Sequence, residues 1–471
     1  MTHDVLSGAA RSFLRLVPLF AFAPVLAVRV GAQVTTQVAT QVAAGGPRTG
    51  APRVTYARDV APIIQQKCQA CHQPGSIGPM SLLSYDDVKQ YALEIRERVS
   101  ERTMPPWHID RTVGIQHFKN DRSLTDAQVA TLIDWIDDGT PMGDPKELPP
   151  PIKLPDPNRW QLEEEMGAPD LVIRSTPYTL AARTQDKWFR PVVETGVTEP
   201  RWVRAIEVKP VRVGDRRIVH HVLAYLLQAE DGVTGLASTA HDHQTNGGLF
   251  MEWAVGKTAQ IFPDDAGKLM LPSSRIRWEV HMHAIGQVVE DSQVEMAIYF
   301  YPKGYVPKHR TVLQFLDLTR GTNLDIPPGE KTVTQNFFVL QAPARLENFQ
   351  PHMHLRGRAM SLEAVYPDGR KELISSVSNF QWNWHINYVY DTEYAPLLPK
   401  GTTLVFTAWH DNTAANPNNP DPRQWVGWGD RTVDEMAHNW IDFTYLEQDE
   451  FAQMVAARKA KAARDAKPPA P

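Results

Sequence analysis

The segment Cys68-Gln69-Ala70-Cys71-His72 constrains this chain more than any other. Two thiols three positions apart can each form a thioether with a vinyl group of haem, and the adjoining imidazole can bind the iron from one side. These are the only 2 cysteines in 471 residues, so no disulfide framework can form once both are used. A redox dithiol would lack the following histidine, and a zinc site would need a second pair of ligands nearby. The segment therefore predicts one covalently bound haem c, held by Cys68, Cys71 and His72.

The first 32 residues predict a cleaved export signal. Arg11 and Arg15 supply its positive start, and an apolar run from Leu16 to Val28 follows. That run is short for a membrane span, and an uncleaved interfacial anchor is the alternative. We therefore expect a periplasmic or secreted protein without a membrane span after signal removal. Residues 33–53 are rich in Thr, Gln, Ala and Gly and predict a disordered spacer.

Residues 54–140 have the pattern of a compact helical domain. Ser84 and the acidic residues after it predict a capped helix that runs to about Glu101. Thr125 opens a second capped helix, with apolar residues at helical spacing up to Gly139. A chain of 471 residues is too long for one hydrophobic core, so further domains are expected. A net charge of -5 gives no reason to expect nucleic acid as a partner.

An electron-carrying haem needs a second axial ligand, for which Met104 is the first candidate. Two prolines follow Met104 and would stiffen the loop that presents its sulfur, and a thioether favours reduced iron. Met80 and His108 are the alternatives. With the haem-attachment segment, the Met-Pro-Pro loop and the last amphipathic helix in this order, residues 54–140 resemble the class I c-type cytochromes. That resemblance implies an all-α cytochrome c domain.

The composition changes after this domain. Proline is frequent in residues 141–168, which predicts a stiff, extended linker. The chain then shows short runs of β-forming residues separated by Gly, Pro, Asp and Asn. We expect two β-sandwiches, over residues 169–312 and 313–449. Residues 450–471 predict a disordered basic tail.

His220 and His221 are neighbours inside an apolar run that predicts a strand. Adjacent residues of a strand point to opposite faces of the sheet. Both imidazoles could therefore bind one ion only at a β-bulge, at a strand end or through different ring nitrogens.

Two later pairs place histidines at positions i and i+2, which share one face of a strand. They are His281 with His283, and His352 with His354. Met436 follows an acidic pair just before another predicted strand. Imidazole suits copper, iron, zinc and nickel, whereas a thioether selects Cu(I). A His-x-His pair together with a distant methionine therefore favours copper over zinc.

This ordered set resembles the copper type II, ascorbate-dependent monooxygenases, the family of the peptidylglycine α-hydroxylating and dopamine β-monooxygenases. The resemblance covers roughly residues 169–447. It implies a first copper site for electron transfer, formed by His220, His221 and His281, and a second site for O2 and substrate, formed by His352, His354 and Met436. His283, His241 and His243 are additional candidate ligands, and His385 and His410 are interpreted as structural.

The resemblance implies hydroxylation of a C–H bond in a small molecule, with one oxygen atom entering the product and the other forming water. The two electrons would arrive singly through haem c, from an ascorbate-like reductant or another cytochrome. The expected fold is a multidomain chain, with an all-α cytochrome c domain followed by two jelly-roll-like β-sandwich copper domains. Alternatives are a non-catalytic electron-transfer or copper-binding protein, and a cytochrome that carries a passive β region. The substrate is not indicated.

Overall fold

A computed structural model describes residues 54–230, 248–254, 257, 259–317 and 324–465. The predicted export signal, the spacer after it, and His241 and His243 lie outside these residues. Strands take up 36% of the chain and helices 18%, so the fold is mainly β.

Short helices precede the first strand. A π-helical turn, Tyr56–Val60, leads into α1 (Ala61–Lys67), and α2 (Tyr85–Gln90), α3 (Ala92–Ser100), α4 (Asp126–Asp137), a 3-10 turn (Pro145–Glu147) and α5 (Glu163–Met166) follow. Ser84 and Thr125 each form a capping box with the residue three positions on, as their patterns predict. Ile64, Leu132 and Trp135 are fully buried in a small core between these helices.

The described residues then form twenty-four strands, which fall into two halves of twelve. Those of the first half are β1 (Leu171–Arg174), β2 (Tyr178–Leu180), β3 (Lys187–Phe189), β4 (Val192–Glu194), β5 (Arg201–Pro210), β6 (Val219–Leu227), β7 (Gly248–Ala254), β8 (Ala259–Ile261), β9 (Ala266–Met270), β10 (Arg275–Met282), β11 (Val289–Ser292) and β12 (Val294–Phe300). Those of the second half are β13 (His309–Asp317), β14 (Asp325–Ile326), β15 (Lys331–Val339), β16 (Ala344–Leu346), β17 (Asn348–Met353), β18 (Gly357–Val365), β19 (Lys371–Val377), β20 (Tyr388–Val389), β21 (Leu397–Leu398), β22 (Thr403–Asp411), β23 (Val426–Gly427) and β24 (Ala437–Tyr445). A 3-10 turn, Val213–Arg217, precedes β6.

The strands form two sandwiches that share one long sheet. In the first, the layer β1-β12-β5-β9 faces the layer β3-β10-β6-β7, and Phe250 and Trp278 are buried between them. In the second, β13, β24, β16 and β17 face the layer β15-β22-β18-β19 around Phe349 and Phe406. Parallel pairing of β9 with β13 joins one layer of each sandwich into an 11-stranded sheet.

The prediction of a separate all-α cytochrome c domain is wrong. The helices of residues 54–140 are few and short, and the loop between α3 and α4 inserts Trp107 and Phe118 into the core of the second sandwich. In the same loop, the backbone N–H of Asp110 donates to the carbonyl of Ser376 at 2.8 Å. Arg53–Pro471 form one compact unit. The large apolar side chains of this loop have no helical spacing, and the sheet offers them a larger apolar surface than the short helices do.

The two segments predicted to be extended or disordered also contact the sandwiches. Leu162, within the proline-rich linker, is buried beside Tyr299, and its backbone N–H donates to Glu207 at 3.2 Å. The chain after the last strand forms α6 (Gln448–Asp465), and Arg458 of this helix donates to the carbonyl of Ala395 at 2.6 Å. Within the described part of the chain, none of the helices combines the length and the apolar character that a membrane crossing requires.

Candidate metal centre

A β-bulge brings the predicted first set of histidines together. His281 of β10 lies opposite His221 of β6, but the next residue, Met282, lies opposite Val219. His220 is therefore the extra residue of the bulge, which removes the alternation that would place it on the other face. The Nδ1 atoms of His220 and His221 are 3.1 Å apart, and the ring of His281 lies 4.9 Å from that of His221.

The second set is built on β17 and on the segment before β24. His352 lies opposite His438 in the pairing of these strands, and the ring of His354 is 5.3 Å from that of His352. The Nδ1–H of His354 donates to the carbonyl of Asp434 at 3.2 Å. This bond places His354 beside the chain that leads to Met436, which is itself buried.

Glu435 links His354 to Met436 through hydrogen bonds with the backbone of both residues. Its carboxyl group is fully buried and accepts hydrogen bonds from the backbone N–H groups of His354 at 3.0 Å and Met436 at 3.3 Å. It also accepts one from the backbone of Arg356. Burial raises the pKa of Glu435 to about 8, so the group is largely uncharged at neutral pH.

The two predicted sets are parts of one histidine cluster. The rings of His221 and His352 are 5.2 Å apart, although these residues belong to different sandwiches. His385, from the loop between β19 and β20, packs between the sets, 4.1 Å from the ring of His352 and 5.3 Å from that of His220. We use "histidine cluster" for these rings, which are His220, His221, His281, His352, His354 and His385.

Burial favours the neutral form of five imidazoles of the cluster. Burial, followed by the neighbouring histidines, lowers the pKa of His220 and of His354 to about 3. Burial also holds the pKa values of His221, His352 and His385 well below the ordinary value. A neutral imidazole keeps one nitrogen lone pair, which is the form that binds a metal ion.

Several ring nitrogens of the cluster have no hydrogen-bond partner among the described residues. Within the described residues, buried His354 Nε2, His385 Nε2 and both ring nitrogens of His281 have no hydrogen-bond partner. Asp186 lies 3.4 Å from His281 Nε2, but outside hydrogen-bonding geometry. Interaction with His281, followed by hydrogen bonds from Thr432, holds the pKa of Asp186 below its ordinary value. Buried imidazoles suit a copper ion, and Asp186 supplies one carboxylate beside them.

The other histidines of this region differ in their surroundings. His283 is exposed beyond the end of β10, and its backbone N–H donates to the carbonyl of Ile218. His410, interpreted as structural, is buried, and its Nε2–H donates to the carbonyl of Met436 at 3.3 Å. His385 is the member of the cluster that was not predicted to be a ligand. The sequence signal for it is weak, since it is a lone histidine in the loop after β19.

The predicted haem-attachment segment has two free thiols beside an imidazole that a backbone carbonyl orients. Cys68 and Cys71 are free thiols, and burial raises the pKa of Cys68 to about 12. The Nδ1–H of His72 donates to the carbonyl of Met80 at 3.3 Å, which leaves Nε2 available to iron. A Cβ atom on Gly78 would lie 2.7 Å from His72 Nδ1, so the chain must pass this ring as glycine.

The three candidates for the second axial position lie in different surroundings. The carbonyl of Met80 is bonded to the His72 imidazole, which places the Met80 backbone on the His72 side of any haem bound there. Met104 is half-buried in the loop after α3. His108 is buried, burial lowers its pKa to about 4, and its Nε2 has no hydrogen-bond partner within the described residues.

A second group of potential metal ligands lies away from the cluster. His309 Nε2 is 3.0 Å from Glu450 and 3.8 Å from Asp265. Both carboxylates are already paired with cations, Glu450 with Lys308 and Asp265 with Arg345. These ion pairs account for the charges, so this group is a network that joins α6 to the sheet.

A cavity of about 150 Å³ lies between the α3–α4 loop and the two sandwiches. Its lining includes Lys119, Arg122, Lys257, Glu347 and Asp442, and none of the cluster histidines.

Comparisons with known proteins find weak structural similarity only. No protein family matches it, and no curated protein does. Among solved structures, PNGF-II aligns with 59% of this chain and 65% of its own at 10% identity and a TM-score of 0.26. The infectious bursal virus-derived T=1 particle aligns with 58% of this chain and 69% of its own at 10% identity and a TM-score of 0.17. A Paenibacillus xanthan lyase aligns with 66% of this chain and 28% of its own at 12% identity and a TM-score of 0.16. Similarity this weak says nothing about function.

Proposed function

We propose that this chain is an exported haem- and copper-dependent monooxygenase that hydroxylates a C–H bond with O2, using electrons passed through haem c. The observation that carries the proposal is the histidine cluster, in which buried, neutral imidazoles from both sandwiches converge. Such a cluster is costly in a core unless its lone pairs bind an ion.

The copper ligands in this proposal are the two predicted sets. His220, His221 and His281 would hold one ion, and His352, His354 and Met436 would hold the other. Bound copper would supply one-electron chemistry and the activation of O2. The protein's part is to bury the ligands, keep their imidazoles neutral and exclude bulk water. Glu435 and the Asp434 carbonyl orient His354 and hold Met436 beside it.

Haem c would be attached through Cys68 and Cys71, with His72 as one axial ligand. The hydrogen bond from His72 Nδ1–H to the Met80 carbonyl orients the ring, and Gly78 leaves the space that the ring occupies. Bound haem would supply a reversible one-electron store.

Contacts between aromatic rings support passage of electrons from the helices to the cluster. Trp107, three residues after Met104, lies 4.8 Å from the ring of Tyr388 in an edge-to-face contact. The backbone N–H of His108 donates to the Tyr388 hydroxyl at 3.2 Å. Tyr388 is only three residues from His385, so a short covalent path continues from this contact into the cluster.

A second candidate function is a non-catalytic, periplasmic electron-transfer or copper-binding protein. The observation that favours it is the position of the cavity of about 150 Å³, which is not lined by any histidine of the cluster. The export signal on which a periplasmic location depends lies outside the described residues and stays a prediction.

Metal analysis and O2 consumption test the leading proposal on the full, haem-loaded chain. We expect two copper ions per haem, and O2 uptake that requires both a C–H substrate and a reductant such as ascorbate. Met436→Ile should lower turnover about 100-fold or more while leaving the haem spectrum unchanged. Met296→Ile is the matched control, because Met296 is equally buried but lies in the core of the first sandwich. Two bound coppers without substrate-dependent O2 uptake would favour the non-catalytic alternative, and a chain without copper would contradict both.

A further inference from the structure

His385 has the surroundings of a metal ligand. It is 2% exposed, and one ligand nitrogen from each of His220, His221 and His385 lies within 4.8 Å of the others. Its Nδ1 is 3.0 Å from Nδ1 of His352. Among the described residues, no ion pair or hydrogen bond links this imidazole to a carboxylate.

The separation between Nδ1 atoms matches that of two ligands of one metal ion. Two nitrogens bound to one copper or zinc ion at about 2.0–2.1 Å lie about 2.9–3.4 Å apart. The His352–His385 pair, at 3.0 Å, and the His220–His221 pair, at 3.1 Å, both fall within this range. In the absence of a metal, the same distance would require one Nδ1–H to donate to the lone pair of the other ring.

We propose that His385 is a copper ligand that shares an ion with His352 through the Nδ1 atoms of both rings. The inference rests on the proposed copper binding and adds a ligand to it. The ion held by His220 and His221 would then be separated from this one only by imidazoles in direct contact, since the rings of His221 and His352 are 5.2 Å apart. The two coppers would form one adjacent pair, not two isolated sites.

The surroundings of His385 favour Cu(I) over a divalent ion. Burying an ion costs free energy that rises steeply with its charge unless nearby anions compensate. Within the described residues, neither the His352 nor the His385 imidazole forms an ion pair or hydrogen bond with a carboxylate. These imidazoles therefore suit a monovalent, soft ion.

The loop that carries His385 is held in place by contacts that need no metal. Gln350 of β17 donates to the backbone carbonyl of His385 at 3.3 Å. Asn387, two residues on, contacts the Asn348 side chain at 2.6 Å. Replacement of the imidazole should therefore leave the loop in position, so that a loss of copper reports on the ligand.

The experiment is an anaerobic titration of the haem-loaded full chain with Cu(I), in competition with a chromophoric chelator. Wild type should bind two Cu(I) ions, and His385→Ala should bind one of them more than about 100-fold more weakly. His385→Gln, which keeps a polar side chain of similar size, should show the same loss. His309→Gln is the matched control, because His309 is also buried but lies outside the cluster. The haem spectrum and the thermal unfolding midpoint show whether each variant is folded.

The outcomes separate this inference from the proposed function. If wild type binds two copper ions and both His385 variants bind them equally tightly, the His352–His385 contact is only a hydrogen bond between imidazoles, and the inference is overturned. If wild type binds no copper, the proposed function fails and the inference fails with it. X-ray absorption on copper-loaded wild type and His385→Gln gives an independent check. The average number of imidazoles per copper should be lower in the variant than in wild type.

Discussion

Single residues of the cluster are defined by what surrounds their nitrogen atoms. His354 donates through Nδ1 to the Asp434 carbonyl, and its Nε2 has no partner within the described residues. His72 shows the same arrangement, with Nδ1 bonded to the Met80 carbonyl. In both cases a backbone carbonyl selects the tautomer, so the other nitrogen presents its lone pair.

At the residue scale, Met104 is the predicted second axial ligand of the haem iron. We expect Met104→Ala to remove the sulfur-to-iron absorption band of the ferric haem. The midpoint potential should fall by roughly 100 mV or more, since axial ligands tune haem potentials over about 0.8 V. Visible spectroscopy and a redox titration measure both effects.

Met80→Ala and His108→Ala are the companions to that variant. Both should keep the sulfur-to-iron band. Survival of the band in Met104→Ala with its loss in Met80→Ala would reverse the assignment. If wild type lacks the band and His108→Ala alone changes the spectrum, the buried imidazole of His108 is the ligand instead.

At the scale of elements, the loop between α3 and α4 decides how the helices relate to the sheets. Phe118 pairs with Tyr390, and the rings of Trp107 and Phe118 are 5.6 Å apart within the core of the second sandwich. Gly114 has a positive φ of 65° and passes close to the Ile374 carbonyl, where a Cβ atom has no room. The helices are therefore packed onto the second sandwich, not only tethered to it.

Removal of the main anchor tests this packing. Trp107→Ala should lower the free energy of unfolding by about 3–5 kcal/mol, because a large buried aromatic side chain is lost. Unfolding in urea is followed by haem absorbance and by circular dichroism. The midpoint of the transition should shift by the same amount in both signals. The control Trp428→Ala removes a 45% exposed ring and should change stability by less than about 0.5 kcal/mol. A haem transition that shifts alone would mean that the helices unfold independently.

At the scale of the whole molecule, the histidine cluster joins the two sandwiches. Its buried imidazoles also make the stability of the metal-free protein depend on pH. His220 and His221 come from the first sandwich, and His352, His354 and His385 come from the second. Each is held neutral, with a pKa below the ordinary value of 6.5. A histidine of this kind binds more protons in the unfolded chain than in the folded one.

The sign of the pH dependence follows for the metal-free protein. The histidine contribution to the free energy of unfolding should be fully present above about pH 7 and should be lost as the pH drops from about 6.5 toward 4. Each such histidine contributes about 1.4 kcal/mol per pH unit in that window. Urea unfolding at about pH 7 and pH 5.5 should differ by about 2 kcal/mol or more. Stability that stays flat over this window would mean that the imidazoles are not buried as described.

Local pattern accounts for several features of the fold. The capping boxes at Ser84 and Thr125 are present because each depends on residues three positions apart. The mainly β character after residue 168 was expected from the short β-forming runs. The prediction of a separate cytochrome c domain was wrong, because the positions of Trp107 and Phe118 along the chain do not reveal which core will bury them.

The sequence by itself determined the haem-attachment segment, the helix starts and the histidine pairs, since each involves neighbours within a few positions. It also named a β-bulge as one of three ways in which His220 and His221 could act together, and the pairing with β10 contains a bulge. Only the tertiary structure decided that the two histidine sets touch and that His385 lies between them. Those contacts join side chains from different strands, loops and sandwiches, and a periodic pattern along one strand carries no information about its partners in space.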